Sequence, residues 1–138
     1  MARFSVWSAN LLLFVILMTA GCGGGRQLQT VALSPSTADA QNFSAGQVPF
    51  VATGTFSHPP SPVNLTPKEV TWCVGSSDGS CAGNIKVGAI VDQTGLAQCN
   101  PGFVGTATIL AGTGTPMMGN PDSGSQLKIF GSAKLTCP

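Results

Sequence analysis

The chain has no tyrosine, a single histidine (His58) and two tryptophans among 138 residues. Only 8% of it is charged, with 6 Lys+Arg against 5 Asp+Glu. Each shortage excludes something. A near-neutral, charge-poor chain has no electrostatic footprint for nucleic acid, so a nucleic-acid partner is excluded. One histidine and five scattered carboxylates leave little material for acid–base chemistry. The 43% hydrophobic content is too high for a disordered tail. The length suits one domain.

Glycine and proline are abundant instead, at 18 and 10. They are too frequent for long helices, and no window holds a 3.6-residue period over three turns. Apolar residues alternate with small or polar ones, and turn residues recur at short intervals. Val31 and Leu33 share one parity, as do Val48, Phe50, Ala52 and Phe56. So do Val70, Trp72 and Val74, and also Ala107, Ile109 and Ala111. Ile85 and Val87 lead past Gly88 into Ala89 and Val91, Leu96 follows the turn Asp92–Gly95, and Ala133, Leu135 and Cys137 close the chain. About seven short strands in an all-β antiparallel β-sandwich are expected. Ser57–Pro62 reads as an extended, polyproline-like connection, and Gly112–Ser125 as a long mobile loop.

The N-terminus reads as a processing signal. Arg3 supplies positive charge, Leu11–Met18 is an unbroken apolar run, and Thr19-Ala20-Gly21-Cys22 closes it with small residues. These are the three parts of a secretory signal peptide. The apolar run is too short for a bilayer-spanning helix, which needs about 20 residues. Ala20-Gly21-Cys22 resembles the lipobox of bacterial lipoproteins, with Thr19 where leucine is usual. The resemblance implies cleavage before Cys22 and acylation of its thiol, with several acyl chains giving stable anchorage where one would not. Residues 1–21 are then a lipoprotein signal peptide, 22–29 the lipidated Cys and a flexible tether, and 30–138 the domain. Arg3 leaves with the signal, so the mature side chains balance in charge. Gly23 after the lipidated residue favours the outer membrane under Gram-negative sorting.

Cysteine parity agrees with this division. Setting Cys22 aside leaves four: Cys73, Cys81, Cys99 and Cys137. An even set in an exported chain points to disulfides. Three connectivities are open. Cys73–Cys81 with Cys99–Cys137 is favoured, because the first closes a Gly/Ser-rich loop and the second ties down the chain end. The loop-entropy contributions are then about 2.6 and about 3.9 kcal/mol. All four are expected toward one end of the domain. A metal site is disfavoured, since seven residues separate Cys73 from Cys81 rather than the two of a zinc knuckle. No cofactor is implied.

Four pieces in order resemble the bacterial immunoglobulin-like domain, group 2, of intimin- and invasin-type surface proteins. They are Val31–Pro35; Ala45–Gln47 with Phe50–Phe56; Val70-Thr71-Trp72; and Val91–Leu96 with Gly105–Ile109. The resemblance implies an Ig-like sandwich with Trp72 packed between its sheets. It departs from the family in its single copy and its four cysteines.

Functional residues are few. His58 reads as a solvated loop residue, and Asp78, Asp92 and Asp122 as turn formers. Asn42-Phe43-Ser44 and Asn64-Leu65-Thr66 match the glycosylation sequon, which a bacterial lipobox makes coincidental. Pro116, Met117 and Met118 form a candidate binding loop, because adjacent methionines offer an adaptable apolar surface. The expected function is a non-enzymatic, lipid-anchored module of the bacterial cell envelope, held to the membrane through Cys22 and meeting an envelope protein or glycan. The alternatives are a purely structural envelope lipoprotein and, least favoured, an unrecognised enzyme.

Overall fold

The computed structural model describes residues 25–82, 88–114 and 126–138. The described chain is mostly β-strand, with two single-turn 3₁₀ segments at Ala40–Asn42 and Ser44–Gly46. The strands are β1 (Leu28–Ser34), β2 (Thr37–Asp39), β3 (Gln47–Pro49), β4 (Val51–Phe56), β5 (Val63–Asn64), β6 (Thr71–Val74), β7 (Ala89–Val91), β8 (Leu96–Cys99), β9 (Gly105–Thr113) and β10 (Ile129–Cys137).

They form sheets in the orders β1-β4-β5, β2-β10-β9-β6 and β3-β8-β7. Only Phe50 separates β3 from β4. Its N–H donates to the Gly95 carbonyl at 2.9 Å, so one length of chain serves two sheets. The ladders are antiparallel except one: β2 lies parallel to β10, with Thr37 opposite Lys134 and Asp39 opposite Thr136. The expectation of a wholly antiparallel arrangement is corrected there. The two-residue β5 and the short β2 also raise the strand count above seven. Neither carries an apolar alternation that would mark it in the sequence.

The periodicity of β10 shows why these segments are strands. From Gly131 to Cys137 burial alternates strictly, with Ala133, Leu135 and Cys137 inside and Ser132, Lys134 and Thr136 outside. Period two places one set on each face. Residues of all three sheets meet in one buried cluster: Val31 and Leu33 from β1, Val48 and Ala97 from β3 and β8, Trp72, Ile109 and Leu135 from the four-stranded sheet. No polar or charged side chain is buried among the described residues.

β9 departs from alternation: Ile109, Leu110, Ala111 and Gly112 are all buried. Ile109 and Ala111 face the main core. Leu110 belongs to a second cluster with Cys81 and Leu127, flanked by Cys73 and Phe130. The outer face of this sheet is therefore covered locally by a flap. Residues 75–82 fold back through the Gly75↔Cys81 bridge and meet the segment before the last strand at Ser80↔Gln126.

Three further expectations change. β1 starts at Leu28, ahead of the boundary expected at residue 30. Ser57–Pro62 reverses the chain rather than extending it, since β5 returns antiparallel to β4 with Val63 opposite Gly54. Gly112 and Thr113 belong to β9 rather than to the loop after it. The expected signal peptide, Ile85 with Val87, and the Pro116, Met117 and Met118 loop lie outside the described residues.

Strand direction defines two ends. β1 and β10 touch where a Cβ on Gly131 would come within 2.6 Å of the Val31 carbonyl oxygen. β2 continues β1 and runs parallel to β10. Leu28 and Ile129 thus lie at one end, and Asp39 and Cys137 at the other.

Candidate functional sites

The structure forms Cys73–Cys81 and Cys99–Cys137, with Cα–Cα distances of 5.6 and 5.8 Å. They do not share an end of the domain. Cys137 stands opposite Gly105 and Cys73 opposite Leu110, five positions apart along β9, or about 17 Å. They also lie on different faces. Trp72 points into the core, so its neighbour Cys73 points out toward the flap. Strand parity, legible in Val70, Trp72 and Val74, is the signal that assigns Cys73 to the outer face.

The Cys99–Cys137 end carries an open cleft of about 260 Å³, lined by Ala40, Gln41, Phe43, Ala45, Gly46, Gln98, Cys99 and Pro138. Ala45 adopts φ 57°, a left-handed conformation uncommon for a residue with a Cβ. The cleft lining holds no charged side chain. It can receive a small apolar or hydrogen-bonding group but offers no proton donor or acceptor of altered strength. The composition gave no hint of it, because two short 3₁₀ turns build it.

Three carboxylates are committed to turns. Asp92 Oδ1 accepts from Thr94 N–H at 2.8 Å, Thr94 Oγ1 at 2.6 Å and Leu96 N–H at 3.0 Å. Asp78 accepts from Ser80 N–H and Oγ. Glu69 accepts from Thr66 N–H and Oγ1, both at 2.8 Å. These bonds favour the ionised form and hold all three carboxyls below their ordinary pKa: through the Thr94 hydroxyl at Asp92, Ser80 N–H at Asp78 and Thr66 N–H at Glu69. That direction is opposite to what a general acid at neutral pH needs. No group of three or more His, Cys, Asp or Glu that could hold a metal ion occurs among the described residues.

His58 is exposed, and its Nδ1 lies 3.0 Å from Ser57 Oγ. No carboxylate hydrogen-bonds to it among the described residues, so nothing orients the ring as a catalytic base requires. Ser57 instead holds the start of the domain. Its N–H donates to the Gln27 carbonyl at 2.9 Å, and its Oγ accepts from Gln27 N–H at 3.1 Å. Arg26 donates to the Pro60 carbonyl at 2.6 Å, with its guanidinium 3.6 Å from the Phe56 ring centroid. Sequence reasoning placed Arg26 and Gln27 in a flexible tether. An arginine within reach of an aromatic residue thirty positions away leaves no local pattern that would have corrected this.

No protein-family model matches the chain, and no curated protein matches it.

Proposed function

We propose that the chain is a non-enzymatic, lipid-anchored immunoglobulin-like module of the bacterial cell envelope that presents its surface to an envelope protein or glycan. The observation that carries this reading is the strand arrangement. Taken in chain order, β1, β3–β4, β6, β7, β8, β9 and β10 stand for seven strands. The first pairs with the second through β4, the second with the fifth through β3, and the fifth with the fourth, while the third pairs with the sixth and the sixth with the seventh. This order resembles the partition of a constant-type immunoglobulin sandwich and supports that reading. Trp72 on the third strand is buried, 6% exposed, which agrees with the core tryptophan that the resemblance implies. Cysteine arithmetic supports the anchor: the two disulfides use four cysteines, and Cys22 is the fifth.

Metabolic labelling with palmitate tests the anchor. Wild type should carry label and Cys22→Ala should not; equal labelling overturns the reading. Gly23 favours the outer membrane, which fractionation of the labelled protein checks. Crosslinking in intact envelopes, followed by mass spectrometry, tests for the partner. The cleft, whose lining side chains carry no charge, favours a second reading, a structural envelope lipoprotein without specific ligand, and that reading expects no reproducible crosslinked protein or glycan.

A further inference from the structure

We propose that the end of the domain formed by Ser57–Pro62 and Arg26 is a membrane-contact surface, held against lipid headgroups by a three-glycine tether. The proposal rests on Cys22 being the lipidated residue. Its own content is the orientation of the domain on that anchor.

The folded domain begins much nearer to Cys22 than the sequence suggests. Gln27 exchanges two hydrogen bonds with Ser57. Arg26 is fixed by the Pro60 carbonyl and by the Phe56 ring. Only Gly23, Gly24 and Gly25 lie between this clamp and Cys22. Four Cα steps span at most about 14 Å when fully extended. Each headgroup layer of a bilayer is about 5–8 Å thick. About 6–9 Å of chain then remains above the headgroup layer, too little for a domain fixed at Arg26 to bring its far end to the membrane.

The surface that this geometry brings down is chemically suited to an interface. Ser57 through Pro62 are all exposed, and none is acidic. Pro59, Pro60 and Pro62 have no N–H, so half of the segment's peptide groups have no donor to strip of water on approach. Arg26 lends positive charge beside it, which anionic headgroups attract, although the Glu69 carboxylate is near enough to feel that charge. The residues at the other end, Cys99, Cys137 and the cleft beside them, then face away from the bilayer, where a partner can reach them.

The test uses the full chain, processed and lipidated in bacterial cells and reconstituted into phosphatidylethanolamine–phosphatidylglycerol vesicles that contain a nitroxide-headgroup lipid. Two variants each carry one added reporter: His58→Trp at the proposed surface and Ser44→Trp at the opposite end. Trp72 is common to both and buried. Headgroup quenching of the added fluorescence should be at least about threefold greater for His58→Trp, since only that ring reaches the interface. A flexible Gly/Ser insertion after Gly25 should lower it to the Ser44→Trp level. Equal quenching at the two positions, on protein whose mass shows the acyl chains, overturns the proposed surface. Quenching that survives the insertion overturns the tether as its cause. A mass without acyl chains overturns the lipoprotein reading instead, so the two failures are distinguishable.

Discussion

Removing each disulfide separately should cost unequal amounts, and the structure sets the order. Cys73–Cys81 joins residues 8 apart and Cys99–Cys137 joins residues 38 apart. Constraint of the unfolded chain grows with loop length, giving about 2.6 kcal/mol for the first and about 3.9 kcal/mol for the second. The native contacts point the same way. Two backbone bonds, Ser76 N–H to the Ser80 carbonyl and Ala82 N–H to the Val74 carbonyl at 2.9 and 2.8 Å, still oppose opening of the flap when its disulfide is lost. Cys99–Cys137, by contrast, joins β8 to β10, which belong to different sheets. The assay is urea unfolding of the soluble domain with paired Cys→Ala substitutions. At a slope of about 1.5 kcal/mol per molar urea, the midpoint should fall by about 1.7 M without Cys73–Cys81 and by about 2.6 M without Cys99–Cys137. Equal shifts, or a larger shift for the shorter loop, would refute the loop-closure reasoning and place the stabilisation in local packing.

Trp72→Ala should cost about 3–5 kcal/mol by chemical denaturation, because the ring is buried in the shared core; a loss under 1 kcal/mol would contradict that placement. Gly95→Ala should destabilise by several kcal/mol, since Gly95 has φ +85° and an added Cβ would lie 2.4 Å from the Phe50 carbonyl oxygen; an unchanged thermal midpoint would contradict the turn geometry. Acid should weaken the fold through Glu69, Asp78 and Asp92. Their folded pKa values lie below 4.5 for Glu and 3.8 for Asp. Their stabilisation is therefore complete above those values and is lost as pH falls through the lower folded ones. Asp92→Asn should give a flatter urea-midpoint profile below about pH 4 than wild type, and an identical profile would exclude Asp92 from the acid response. Loss of Cys73–Cys81 should speed hydrogen exchange at Leu127 N–H, which donates to the Gly79 carbonyl at 2.9 Å, more than at β10; uniform acceleration would show that the flap does not open separately.

Much of the β-structure was legible in single residues. β10 alternates so strictly that its register on the core could be written from Ala133, Leu135 and Cys137 alone. The turn at Asp92–Gly95 was equally plain, because Asp and Gly each have a specific use there. Other elements left no such mark. β2 has three residues and takes its place from parallel pairing with β10, a long-range event with no local period. The alternation of Ala107, Ile109 and Ala111 says nothing about Leu110, which lies on the other face. It is buried because the disulfide-closed flap covers the outer face of the sheet. The cleft near Cys99 arises from 3₁₀ turns too short to carry a periodic signal, and the candidate loop at Pro116, Met117 and Met118 falls outside the described residues.

The sequence by itself determined the class of the fold and its lack of acid–base material, because alternation, turn residues and composition are local properties of the chain. The tertiary structure decided where the elements meet. It separated the two disulfides along β9. It also fixed Arg26 and Gln27 to the Ser57–Pro62 segment. Those facts depend on contacts between residues about thirty or more positions apart, and no window of sequence contains both partners.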